Sequence, residues 1–178
     1  PPLPLPVPID STRFRPELLP FRTDRESAVS RHSFLRDEGN SLVVPPGKHE
    51  VTEDLVVPPG RELLLSPGAI LRFATKATLI SEGPVRALGT AETPVELTAS
   101  AETWGGVLVA NASGRSEFRH ARISKVGGVG EGVNPGGIDR GGWILTGGIT
   151  FYHSPVDFTH CRISDCSAED ALHVIATD

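Results

Sequence analysis

The sequence predicts an all-β solenoid, in which short coils of similar sequence stack on one another, and two observations carry this prediction. The segment that starts at Gly105, GGVLVANASGRSEFRHARISKV, recurs from Gly147 as GGITFYHSPVDFTHCRISDC. Self-similarity between such β-rich units is typical of stacked repeats. From Ser41 onward, short apolar runs separated by turns also follow one another without a helical interval. A sandwich or a barrel offers no reason for the repeated Phe-x-His-x-Arg-Ile-Ser motif.

The first 40 residues are predicted to form an arm and a cap. Residues 1–20, PPLPLPVPIDSTRFRPELLP, are dominated by proline, which favours an extended, polyproline-like arm or linker. Residues 23–38 carry the only helical pattern, with Thr23 or Asp24 as N-cap and a Gly-Asn pair as its end. We therefore expect residues 21–40 to cap the first open sheet edge with a short helix.

Residues 41–178 are predicted to form the β-coils. Turns rich in proline and glycine separate the apolar runs, and period-two alternation predicts which side chains point inward. The expected strands before the repeat are 42–44, 55–57, 63–65, 70–73, 78–80, 85–88 and 95–98. The expected inward stacks are Val107 with Ile149, Val109 with Phe151, Phe118 with Phe158, Ala121 with Cys161 and Ile123 with Ile163, with Leu172 and Val174 beginning the next coil.

The polar residues of the repeated motif allow two interpretations each. His120 and His160 fall at a bend, and a hydrogen-bonded ladder is favoured over a metal pair because no third ligand is evident. The sequence therefore predicts no metal site, and it does not identify a cofactor. Arg122 and Arg162 are expected to point to solvent, with a basic stripe that binds an anionic glycan as the alternative.

The net charge and the length of the apolar runs limit the kinds of partner that the chain can bind. The net charge of -5 gives no electrostatic case for nucleic acid, and no apolar run reaches the roughly 18 residues of a membrane span. The chain begins at Pro-Pro rather than Met, so we expect it to be part of a longer solenoid. Further coils, another domain or self-association are then the expected partners at its C-terminal edge.

Residues 63–100 and 104–113 resemble the opening coils of right-handed parallel β-helix proteins of bacterial secreted and surface type, and the resemblance covers roughly residues 42–178. The shared sequence pattern is an apolar run, Pro-Gly, a second apolar run, Gly-Thr-x-x-x-Pro and then Trp-x-Gly. In this chain the later part of the pattern is matched from Val85 through Gly89, Pro94 and Trp104 to Gly106. The sequence is also similar to β-helix modules beside spore-coat-protein-H-like domains. The resemblance implies a right-handed, single-stranded parallel β-helix and an extracellular or cell-surface location, and it carries over no catalytic residue.

The segment 127–146, GGVGEGVNPGGIDRGGWILT, interrupts the repeat and is predicted to be an inserted loop of about 20 residues. Stacking of the next coil is expected to bring the turn at 167–170 near the base of this insertion. The residues expected to border one cleft there are Asp139, Arg140, Trp143, His153, Asp165, Glu169, Asp170 and His173.

That grouping suits sugar polymers. Asp170, Glu169, Asp165 and His173 are the candidate catalytic groups, because paired carboxylates hydrolyse glycosides and a carboxylate with histidine removes a proton beside a uronate carboxyl. Asp139, Arg140, Trp143 and His153 are the candidate ligand-binding residues. The preferred alternative is simpler, with a polar turn at 169–170 and a loop whose residues 143–145 pack back onto the solenoid.

The sequence therefore predicts an extracellular or cell-surface β-helix module that is associated with carbohydrate, as a rigid scaffold or a glycan-binding surface. One alternative is a polysaccharide lyase, epimerase or hydrolase that uses the carboxylates near the insertion. Another is a structural module that assembles through open solenoid edges. The partner expected in the first two cases is a polysaccharide or a cell-surface glycan.

Overall fold

The computed structural model describes residues 31–127 and 146–175, and the backbone of residues 138–140 and 143–145. The described part is all-β, apart from the single helical residue Arg31 at its first position. Its strands are β1 (Arg36–Glu38), β2 (Ser41–Val44), β3 (Gly47–Val51), β4 (Leu55–Val57), β5 (Glu62–Leu65), β6 (Ala69–Phe73), β7 (Thr78–Ser81), β8 (Val85–Leu88), β9 (Val95–Ala99), β10 (Gly106–Ala110), β11 (Ser116–Arg119), β12 (Ala121–Ser124), β13 (Ile138–Arg140), β14 (Trp143–Leu145), β15 (Ile149–Tyr152), β16 (Val156–Thr159), β17 (Arg162–Ser164) and β18 (His173–Ile175).

The chain passes through three parallel sheets in the same order five times. The first sheet is β1-β2-β5-β8-β11-β16, the second is β3-β6-β9-β12-β17 and the third is β4-β7-β10-β15-β18. All pairings in these sheets are parallel except that of β1 with β2. This topology is compatible with a parallel β-helix or solenoid, in which each coil lies about 4.8 Å from the next.

The two copies of the repeat lie on neighbouring coils, as predicted. Strand β10 pairs with β15, β11 with β16 and β12 with β17. At the bend between the first and second sheets, the rings of His120 and His160 stack with centroids 4.9 Å apart. The register pairs confirm the expected stacks Val107 on Ile149, Val109 on Phe151, Phe118 on Phe158 and Ile123 on Ile163.

The predicted helix is wrong over residues 32–38, and residues 23–30 of that prediction lie outside the described residues. Strand β1 pairs antiparallel with β2, from Arg36 opposite Val43 to Glu38 opposite Ser41. The Gly-Asn pair predicted to end a helix instead forms a two-residue hairpin turn, for which the φ of +70° at Gly39 is suited. Leu35 is buried above the first coil, so a strand and its preceding loop cover this end.

The interior is packed with aliphatic and aromatic side chains that alternate with outward polar residues. Patterns of buried and half-buried residues alternate strictly along β6, β8 and β9. Trp104 is fully buried and stacks on Phe73, with ring centroids 4.1 Å apart. In the next coils Phe118 stacks on Phe158 and meets Phe151 edge-on. Burial at about 25 cal/mol per Å² makes these stacks the main stabilising contacts.

The third sheet differs from the other two because both of its faces are buried. Every residue of β4, β7, β10 and β15 is buried. Register places Val56, Ile80, Leu108 and Thr150 in one outward column of this sheet. The near-continuous apolar sequence of these strands is typical of strands covered on both faces.

The apolar side chains of the last coil are more exposed to solvent than those of the earlier coils. Leu172 and Val174, expected to continue the inward column of the third sheet, are 39% and 44% exposed. Val174 does lie opposite Phe151, whereas Leu172 precedes β18. In the part of the chain that the structure describes, no strand pairs with the outer edges of β16, β17 and β18. The described residues also include no helix that is long and apolar enough to cross a membrane.

Burial of one carboxyl gives a testable pH dependence. Burial raises the pKa of Glu82, which follows β7. The folded chain therefore binds this proton more tightly than the unfolded chain, and folding stability falls as the pH rises through the folded pKa. We expect Glu82→Gln to raise the melting temperature at pH 7, with a difference that vanishes near pH 4. Thermal melts at both pH values check this, and the exposed Glu102→Gln should change neither.

Candidate functional site

The outward residues of the last three strands of the second sheet form a continuous polar face. Strands β9, β12 and β17 alternate, so that Leu97, Ile123 and Ile163 point inward and their neighbours outward. The outward side chains line a shallow depression of about 530 Å³. We call this surface the polar face, and its residues are Glu96, Thr98, Arg122, Ser124, Arg162 and Ser164.

Two of its contacts link β9 to β12. The Arg122 Nη1 donates to the Glu96 Oε1 over 3.1 Å. The Thr98 and Ser124 hydroxyl oxygens lie 2.9 Å apart and share a hydrogen bond. These contacts fix the side chains of β9 and β12, but they do not extend to β17.

The two arginines create an electrostatic imbalance. Arg122 and Arg162 are register partners on adjacent strands, which places two like charges on directly opposite positions. Like charges in this arrangement are destabilising. Arg122 is paired with Glu96, but Arg162 has no carboxylate within ion-pair distance among the described residues. A bound anion between the two guanidinium groups would relieve this repulsion.

Several arginines elsewhere on the outer surface are paired within the chain, whereas the exposed Arg36 has no carboxylate within ion-pair distance among the described residues. On the second sheet, Arg72 bonds Glu50 at 2.8 Å. On the first sheet, Arg86 lies 3.4 Å from Glu117. Arg162 differs from these paired arginines because the described residues of the polar face supply it with no carboxylate.

The hydroxyl groups complete the donor set. Ser124 and Ser164 are register partners, two residues beyond the arginines on the same outward side. Each hydroxyl both donates and accepts, whereas each guanidinium only donates. The polar face thus combines planar donors for a carboxylate or sulfate with adaptable partners for sugar hydroxyls.

Core residues pack against the inner side of the strands that carry the polar face. The Trp104 Nε1 donates to the Ser124 carbonyl oxygen over 2.8 Å, and the ring stacks on Phe73 beneath the same sheet. Trp104 also bridges in parallel to Val126, just after β12. The backbone that carries Arg122 and Ser124 is therefore anchored to the core.

Of the residues predicted to border a cleft at the base of the insertion, Asp170 lies at that position. Asp170 forms a parallel bridge with Gly147, and its carbonyl oxygen accepts from the Gly148 N–H at 2.9 Å. The Thr146 hydroxyl lies 3.5 Å from the Asp170 Oδ2. Asp170 therefore lies where the insertion returns to the stack, and Glu169 is exposed in the same turn.

The other predicted residues of this cleft are distributed more widely. Asp165 follows β17 with a positive φ of 54°, and its side chain is exposed. His173 lies opposite Thr150, and its Nδ1 is buried without a hydrogen-bond partner. His153 follows the far end of β15, with a φ of 44°, so the structure does not bring it to the start of that strand beside Asp170.

Three predicted ligand-binding residues lie on the β13–β14 hairpin. Arg140 is the register partner of Trp143, and Asp139 pairs with Ile144. The side chains of these residues lie outside the described part of the structure. Among the residues that it does describe, no group of three or more histidine, cysteine, aspartate or glutamate side chains could hold a metal ion.

The sequence analysis named two residues of the polar face and missed four. Arg122 and Arg162 entered as a possible basic stripe, whereas the contributions of β9 and the two serines were not recognised. The signal was present in the repeated Arg-Ile-Ser, because alternation puts its first and third residues on one side of a strand. Glu96 and Thr98 needed the register between β9 and β12.

A scan against protein-family models found no match to this chain, and searches of the curated proteins and of the solved structures found none either. The site is therefore described by its own geometry alone.

Proposed function

We propose that this chain is a right-handed parallel β-helix module of an extracellular or cell-surface protein, and that its polar face binds an acidic polysaccharide. The observation that supports this most is the in-register arginine pair flanked by in-register serine hydroxyls. A uronate or sulfated sugar supplies the anion that the two guanidinium groups lack and hydroxyls that match the serines. The stacked coils make the face rigid, so little conformational entropy is lost on binding.

The ligand is expected to be a polymer rather than a single sugar. A shallow, open depression encloses little of a small molecule, and one charged hydrogen bond contributes only about 1.5–3 kcal/mol. Several sugar units along the face would add such contacts. Because the contacts are charged and exposed, binding should weaken as salt screens them.

Loss of the unpaired arginine should weaken polysaccharide binding by about 10-fold or more, as expected for one charge-assisted hydrogen bond. Arg162→Ala is compared with wild type by calorimetry and affinity electrophoresis on polygalacturonate, a sulfated glycan and neutral dextran. Arg72→Ala is the matched control, since Arg72 is on the same sheet but bonded to Glu50. Equal binding by both variants, or equal binding to dextran, would contradict the proposal.

A polysaccharide-active enzyme remains the second candidate, favoured by the unpartnered Nδ1 of His173 near the base of the insertion. In such an enzyme Asp170 and His173 would act on a sugar polymer held there. Incubation with uronate polymers, followed by absorbance of unsaturated products and by reducing ends, tests it. Activity that is lost in Asp170→Asn and kept in Arg162→Ala would favour the enzyme, and no product would exclude it.

Assembly through the last coil is the other alternative, and the exposure of Leu172 and Val174 supports it. Unpaired strand edges recruit further strands. Light scattering over a range of concentrations tests this role. A monomer at high concentration would exclude self-association, and a growing mass that Val174→Lys abolishes would support it.

A further inference from the structure

Glu96 already occupies the position at Arg122 that an anionic ligand of the polar face would take. In the described part of the chain a single hydrogen bond, from the Arg122 Nη1 to the Glu96 Oε1 over 3.1 Å, joins the two side chains. The Arg122 side chain is 59% exposed and the Glu96 side chain is 32% exposed. The carboxylate can therefore leave the guanidinium without any change in the core.

This contact is weak compared with the buried ion pair near the start of the described chain. Arg61 is only 8% exposed and holds the Asp37 carboxylate at 2.6 Å. Exposed pairs such as Glu96 with Arg122 contribute little to stability. A guanidinium carries five N–H donors, and Glu96 accepts from one of them. A carboxylate of the ligand can therefore replace Glu96 and accept two parallel hydrogen bonds.

Glu96 has no second ion-pair partner among the described residues. Its register partner on β6 is Ile70, which is apolar. Arg72, the next outward residue of β6, is bonded to Glu50 and to the Ser100 carbonyl oxygen. A displaced Glu96 would remain unpaired beside the anion of the ligand, and these like charges repel each other. Glu96 therefore lowers the affinity both by holding Arg122 and by repelling the ligand.

We propose that Glu96 is a built-in competitor of the ligand, which holds Arg122 in the free protein and is displaced when an acidic polysaccharide contacts both arginines. Arg162 binds the first anion, since no described carboxylate holds it, and Arg122 follows only when its bond to Glu96 breaks. Glu96 thus determines how tightly the polar face binds. This inference rests on the proposed function, because it concerns how the same face engages its ligand.

Glu96→Gln tests this role, since glutamine keeps the length of the side chain but is neutral. Calorimetry with polygalacturonate compares the variant with wild type, and we expect about 3- to 5-fold tighter binding, the range for loss of one exposed ion pair. The matched control is Glu38→Gln, which removes the same charge from an exposed position on the first sheet and should bind as wild type does. In an Arg122→Ala background the gain from Glu96→Gln should disappear.

Equal affinity of Glu96→Gln and wild type would overturn the proposal, as would an equal gain in Glu38→Gln or a gain that persists without Arg122. Circular dichroism establishes that each variant is folded. Glu96→Thr, which keeps a residue that favours strands, takes the place of Glu96→Gln if the latter is destabilised. Loss of binding in Arg162→Ala together with an unchanged Glu96→Gln refutes the competition and leaves the proposed function standing. No binding by wild type or by any variant refutes both.

Discussion

Replacing Trp104 by alanine is expected to lower the free energy of unfolding by about 3–5 kcal/mol, as for other buried Trp-to-Ala changes. Its indole is completely buried and loses both the stack on Phe73 and the hydrogen bond to the Ser124 carbonyl oxygen. The resulting cavity lies under the strand that carries the polar face. The proposed polysaccharide binding should therefore weaken in this variant even at temperatures where the chain remains folded.

Urea unfolding followed by circular dichroism measures the first effect, and calorimetry with polygalacturonate measures the second. Trp104→Phe is the matched control, since it keeps an aromatic ring over Phe73 but loses the N–H donor and part of the indole volume. We expect it to lose about 1–3 kcal/mol, the value for leaving a buried acceptor unsatisfied. An alanine variant as stable as the phenylalanine variant would show that the stack contributes nothing.

The repeated coils could be predicted from the sequence because stacking makes identical demands at successive positions. Phe118 and Phe158 recur because the same cavity recurs one coil later, and the register confirms it. The same logic placed Ile123 over Ile163. Local alternation and a fixed period contain this information, so no long-range contact had to be known.

The N-terminal cap could not be predicted in the same way. Residues 36–38, Arg-Asp-Glu, have helical propensity, but the open edge of β2 offers them backbone hydrogen bonds. The buried Arg61 adds a 2.6 Å ion pair to Asp37, which a local pattern cannot reveal. Tertiary pairing overrides propensity here, because an unpaired edge strand costs more than an unfavourable local choice.

For a related reason, only part of the candidate site could be predicted from the sequence. Arg122 and Arg162 stand in the repeat, but their imbalance depends on Glu96 from a coil that does not share the motif. His153 was grouped with Asp170 from the expected stacking of coils, but β15 (Ile149–Tyr152) lies between His153 and Gly147, the residue that bridges to Asp170. Alignment of the repeats predicts which residues stack on one another in neighbouring coils. Which residues of different strands lie close together depends on where each strand ends, and the alignment does not give this.

Replacing Gly106 by alanine is expected to prevent folding or to lower stability by more than about 4 kcal/mol, the range reserved for specific backbone lesions. Gly106 has a φ of +97°, which L-residues rarely adopt, and an added Cβ would overlap the Gly148 carbonyl oxygen. That atom belongs to the backbone of the next coil and accepts from the Val107 N–H at 3.0 Å. Relief would therefore require the two coils to separate.

Soluble yield, circular dichroism and the urea midpoint measure this effect. Gly114→Ala is the control, because its added Cβ would meet only the Pro84 side chain, at 3.3 Å, and the change should be near neutral. The double glycine recurs at 105–106 and 147–148 for the same reason: at Gly148 a Cβ would lie 2.6 Å from the Val126 Cγ1. A normally folded Gly106→Ala variant would mean that neighbouring coils do not approach this closely where the third sheet begins.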